Sequence, residues 1–160
     1  MKKFSIVLLM VGAFGVQAAE NLKFHGTLVV PPPCTISNDQ VIEVNFNDVL
    51  IDTIDGNHFI QDVPYTLTCD ASDTSDALTL TLTLTLTGTM TGYNDAAIET
   101  NVSGLGIELR QNNQRFKVGS TITFSRQSPP LLQAVPVKSS GAALQEGAFE
   151  AWATLQVDYQ

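Results

Sequence analysis

Apolar and polar residues alternate with a period of two along much of this chain, the pattern of strands with one buried and one wet face. At the end of the sequence Phe149, Ala151, Ala153, Leu155, Val157 and Tyr159 interleave with Glu150, Thr154, Gln156, Asp158 and Gln160, and Trp152 alone interrupts the polar face. Near the start, Leu22, Phe24, Gly26, Leu28 and Val30 alternate with Asn21, Lys23, His25 and Thr27, with Val29 as the exception. Between these lie Ile42, Val44 and Phe46; Val63, Tyr65, Leu67 and Cys69; five Leu-Thr pairs from Leu78 to Thr87; and Leu105, Ile107 and Leu109. Val118, Thr121 to Phe124 and Leu131 to Val137 add further short strands, and no segment has the period of a long amphipathic helix. The Leu-Thr run predicts one long strand with leucine on the core face and threonine toward solvent, in a register that a slip of two residues would barely disturb.

Turn chemistry separates these stretches. Asp52 to Asn57, Gly88 to Asp95, Gly119-Ser120 and Ser128-Pro129-Pro130 each read as connections. Pro31, Pro32 and Pro33 cut the first alternating stretch from the remainder of the chain, because proline has no N–H for a ladder and stiffens the backbone. Seven or so short strands after that spacer predict an all-β fold, an antiparallel sandwich of immunoglobulin-like type. The tryptophan usual between the two cysteines of such domains is missing; Trp152 lies in the last strand instead. Two stretches remain without partners in this scheme: the strand ahead of the prolines, and the outer side of the final strand, which the sequence leaves as an open edge.

Charge and cysteine content narrow the class. Met1-Lys2-Lys3, an apolar run from Phe4 to Val16 and small residues at Ala18 and Ala19 have the order of a secretory signal peptide, expected over residues 1–18 with cleavage after Ala18 or Ala19. The run is too short to span a membrane, so no direct membrane insertion is expected. Removing Lys2 and Lys3 leaves six basic against sixteen acidic residues, a formal charge of −10 that opposes binding to nucleic acid. Cys34 and Cys69, the only cysteines, read as a disulfide in an exported chain. His25 and His58 sit in no ligand-spaced cluster and beside no nucleophile motif, so neither a metal, a cofactor nor catalysis is expected. The acidic run Asp70 to Asp76 lacks the glycine and distant glutamate of an EF-hand and reads as a solvated connection. Gly104-Leu105-Gly106 precedes a strand and has no third glycine, which removes a dinucleotide fingerprint.

The two alternating termini, the Cys34/Cys69 pair, the glycine fourteenth from the end (Gly147) and the penultimate aromatic Tyr159 together resemble the subunits assembled by the chaperone–usher pathway of Gram-negative bacteria. The likeness is greatest to the minor pilins of P-pilus-like fimbriae. It covers the whole chain after the leader. It implies an incomplete immunoglobulin-like β-sandwich lacking its C-terminal (seventh) strand, spanning residues 34–160, with a donor-strand extension at residues 19–33. Leu22, Phe24, Gly26, Leu28 and Val30 are then the residues given to a neighbouring subunit. Gly147, Phe149, Ala151, Ala153, Leu155, Val157, Tyr159 and Gln160 form the edge that receives a strand, first from a periplasmic chaperone and then, at the outer-membrane usher, from the next subunit. This is β-strand addition of the kind known for chaperone–pilin pairs.

The resemblance thus implies a structural subunit of an adhesive surface fimbria, in transit through the periplasm, and no enzyme. A tip adhesin that binds host glycans is the main rival. Family adhesins carry a receptor-binding domain ahead of the pilin domain and lack a donor extension, whereas here only about fifteen residues separate the leader from Cys34. A chain-terminating subunit, unable to accept a further strand, is the other alternative.

Overall fold

The computed structural model describes residues 23–28, 33–69 and 81–159. The expected leader, Leu22, Val30, Gln160, the run from Asp70 to Asp76 and the first Leu-Thr pair of the repeat lie outside these residues. Two units are distinguished, residues 1–30 and residues 31–160. In the first, residues 23–28 form no strand, and the side chains of Phe24 and Leu28 are exposed.

The second unit is all-β, with every strand pair antiparallel. Its strands are β1 (Cys34–Ile36), β2 (Gln61–Asp62), β3 (Leu67–Cys69), β4 (Thr81–Gly88), β5 (Ala97–Glu99), β6 (Leu105–Gln111), β7 (Gln114–Arg115), β8 (Thr121–Ser125), β9 (Leu132–Lys138) and β10 (Ala153–Tyr159). One sheet runs β2-β9-β6-β5, with β7 also on β6; a second runs β10-β4-β8; β1 and β3 pair separately. This is the immunoglobulin-like sandwich that the alternation predicts.

Each pattern finds a physical counterpart. Val63, Tyr65, Leu67 and Cys69 share a half-buried face, yet only Leu67–Cys69 is strand and β2 stops at Asp62, because Pro64 brings no N–H and the chain bends there, Tyr65 N–H closing on Val63 O at 2.8 Å. The segment therefore leaves β9 and crosses to β1, where Cys34 lies opposite Cys69 and the two form a disulfide. Burial pushes the Tyr65 hydroxyl up in pKa, so it stays protonated and donates to Pro130 O.

The leucines of β4 are wholly buried, and its threonines depart from the expectation of a wet face. Thr83 is buried and donates to Asp158 O on β10 (3.2 Å), and Thr85 is half-buried and pairs with Thr121 Oγ1 on β8 (2.9 Å). A central strand flanked on both sides has part of its polar face covered, while Thr87 near its end stays exposed. β5 and β7 are strands that the alternation does not predict. β7 follows a two-residue turn at Asn112-Asn113, both with positive φ, as a hairpin of this length requires. Phe116 follows directly and is 1% exposed, in a core with Leu84, Leu86, Ile98, Leu109 and Leu132.

The outer face of β6 holds the most buried charge among the described residues. Glu108 is 5% exposed and accepts from Asn94 Nδ2 (2.7 Å) and Arg110 Nε (2.8 Å), with Arg115 Nε at 3.3 Å. Arg110 Nη2 also donates to Gly56 O at 2.7 Å. A carboxylate this dry is tolerated because both oxygens are matched by donors.

Candidate functional site

The stretch with Ile42, Val44 and Phe46 reads as a strand and behaves as one side of a strand only. Those three residues are half-buried and Val41, Glu43 and Asn45 are exposed, the alternation of a β-segment, but residues 40–50 form no ladder with any described strand. What starts the segment is a reversal at Ser37, Asn38 and Asp39, all with positive φ, fastened by Ser37 N–H to Thr66 O (2.7 Å). A backbone that alternates without a partner has the geometry of a strand whose neighbour is not in its own sheet.

The facing wall is the end of the chain. Gly147 has φ +149°, a backbone that side chains rarely permit. Phe149 and Ala151 are half-buried, and Ala151 bridges Thr100, with Asn101 N–H donating to Glu150 O at 3.1 Å. Trp152 is the crossover, 70% exposed, after which β10 joins β4 in the other sheet. Leu155, Val157 and Tyr159 are half-buried; Ala153, expected on the apolar face, is exposed. Among the described strands β10 pairs only with β4, so its other side is an edge.

Between the two walls runs a groove of about 1350 Å³ floored by Leu86, Ile98, Leu105, Ile107 and Leu109. From residue 149 to 157 its wall is roughly 27 Å long at ~3.3 Å per residue, the dimension of a strand rather than of a small molecule. Both ends are pinned. The rings of Phe46 and Phe149 meet across it at 6.0 Å, and the Tyr159 hydroxyl donates to Cys34 Sγ at 2.8 Å, fastening the end of β10 beside the disulfide. The site residues expected from the sequence thus divide: Gly147 to Val157 line this groove and Tyr159 closes its end, Phe24, Gly26 and Leu28 belong to the separate first unit, and Leu22, Val30 and Gln160 are not described. The opposite wall, with Ile42, Val44 and Phe46, is legible in the sequence as a strand but not as part of the site.

Fold and groove together define the class: a disulfide-linked, immunoglobulin-like β-sandwich presenting a long apolar groove beside its final strand. The chain belongs to the fimbrial protein family, as a chaperone–usher pilus subunit, and residues 22–160 match that family. It is 48% identical over 164 residues to the uncharacterized fimbrial-like protein YfcQ of Escherichia coli strain K12, covering 100% of both chains. Among solved structures it is similar to the P pilus rod subunit PapA, with a TM-score of 0.63 and 26% identity over 80% of this chain and 99% of that one. It is also similar to the P pilus adaptor subunit PapF, with a TM-score of 0.57 and 25% identity over 82% of this chain and 98% of that one. The family consists of structural subunits that build surface pili through contacts with other subunits, and is not a family of enzymes.

Proposed function

We propose that this chain is a minor, adaptor-type subunit of an adhesive fimbria, joined to its neighbours by donor-strand exchange. The observation that carries the reading is the groove, whose two walls, residues 40–50 and β10, both have strand geometry and no ladder between them. A periplasmic chaperone lends the first strand along Gly147, Phe149, Ala151, Ala153, Leu155, Val157 and Tyr159, with the Gln160 carboxylate held by basic chaperone groups. At the outer-membrane usher the extension of the next subunit replaces it. This chain's own residues 19–33, freed by removal of the leader at 1–18, serve a neighbour in the same way through Leu22, Phe24, Gly26, Leu28 and Val30. Burying four apolar side chains at ~1.5–3 kcal/mol each gives roughly 6–12 kcal/mol before the cost of ordering the strand.

The test is purification of the chain with and without a chaperone, followed by challenge with a donor peptide. The chain should aggregate alone, and amides of residues 40–50 should gain hydrogen-exchange protection once a strand is added. A stable, monodisperse chain with neither chaperone nor peptide sinks the reading. Gly26→Leu should block incorporation onto the preceding subunit while leaving chaperone capture intact. Antibody labelling confined to the fibre tip supports the adaptor placement, and labelling along the whole fibre replaces it with a rod placement.

A further inference from the structure

We propose that the groove selects its strand by charge: the occupant is a β-strand with apolar residues inward and cationic residues outward. This deepens the strand-accepting reading and rests on it. Five acidic residues, Asp39, Glu43, Asp48, Glu146 and Glu150, line the groove, and among the described residues no lysine, arginine or histidine does. Glu43 is exposed between half-buried Ile42 and Val44 on one wall, and Glu150 is exposed between half-buried Phe149 and Ala151 on the other. Both therefore point to the solvent side of the strand that would lie between them. Outward residues on adjacent strands stand about 4.5–5.5 Å apart at Cβ, close enough for opposite charges to attract and like charges to repel.

The acidity of these walls is not met from within. None of the five makes an ion pair among the described residues. Arg110 and Arg115 are engaged by Glu108, Lys117 by Asp95, Lys138 Nζ donates to Ile51 O at 2.7 Å, and the exposed Arg126 does not line the groove. The segment from residue 21 to 30 of this chain carries a matching pattern, the cation Lys23 and the polar His25 lying between Leu22, Phe24 and Gly26, with no acidic residue from there to Cys34. A strand with outward Asp or Glu would instead set like charges side by side, the repulsive element from which specificity is built.

The experiment refolds the full chain with a fluorescent peptide of residues 21–30, or with the same peptide carrying K23E and H25E, and measures label retained through gel filtration. The chain's own segment competes equally with both. The native peptide should be retained about tenfold better at low salt, a ratio set by two outward pairs. That ratio should fall toward one at about 0.5 M salt, where the Debye length is well below ~10 Å. In an E43K/E150K chain whose disulfide and circular dichroism match the parent, the preference should reverse. Equal retention of the two peptides at low salt, or a ratio indifferent to salt, overturns charge selection and leaves the groove reading standing. Retention of neither peptide overturns both.

Discussion

Residues 105–111 and residues 40–49 begin from the same sequence pattern and end in different states. The first, β6, is paired with β9 on one side and with β5 and β7 on the other, and it is buried on both faces, so that even Glu108 is nearly dry. The second keeps its alternation of half-buried and exposed residues yet pairs with nothing described. The difference teaches that alternation fixes which side of a segment faces the core, while the ladder depends on a neighbour, which residues 40–49 lack among the described strands. Closure and openness here are properties of the company a strand keeps.

Four measurements break or sharpen this contrast. Leu109→Ala, in the closed strand, should destabilise the chain by about 2–5 kcal/mol whether or not the groove is filled, read from urea unfolding with and without a bound strand peptide. A cost that appears only with peptide would erase the distinction. Glu108→Ala should cost about 1–3 kcal/mol in the same unfolding measurement, since it strips the acceptor from Asn94 and Arg110, while Glu108→Gln should recover part of that. Val44→Ala, on the open wall, should cost no more than ~1 kcal/mol in the unfilled chain and about 2 kcal/mol in the filled one, because only the added strand completes its burial. The smallest effect belongs to the exposed side chain of Asp55, in the turn that meets β6 where Arg110 Nη2 donates to Gly56 O. Asp55 is lowered from 3.8 to about 2 by the Asn57 N–H, with help from His58. A lowered carboxyl favours the folded turn above its ordinary value and loses that contribution as pH falls through 3.8 toward 2. A carboxyl titration by NMR should find the midpoint near 2, and one near 3.8 would remove the Asn57 and His58 bonds from the account.

Much of this is legible in the residues, and the exceptions are instructive. Leu105, Ile107 and Leu109 announce β6, and the Gly147 to Tyr159 alternation announces the wall of the groove, because a one-sided burial leaves a clear period of two. Phe116 does not read as core, since Arg115 and Lys117 flank it and one apolar residue has no period. β5 is hidden for a similar reason: Ala96 and Ala97 are both buried and small, so no alternation marks them. The Asn112-Asn113 pair is the available signal for the β6–β7 hairpin, because both residues tolerate positive φ. The split at Pro64 and the crossover at Trp152 are invisible in the apolar pattern. In each place the inward apolar residues keep their period of two while the backbone changes sheets, and only an odd residue on the outward face, Pro64 or Trp152, marks the spot.

The Leu-Thr repeat of β4 is a ruler without numerals, since sliding it by two residues leaves leucine under leucine. Gly88, at its end, supplies the zero mark. It lies opposite Ala153, and a Cβ at this position would stand 2.7 Å from Ile98 Cδ1 and 3.3 Å from Trp152 O. A slide in one direction brings Leu86 to that spot and in the other Met90, and either side chain meets an occupied space. One missing side chain thereby calibrates a strand whose own letters cannot, and with it the height at which β10 is hung.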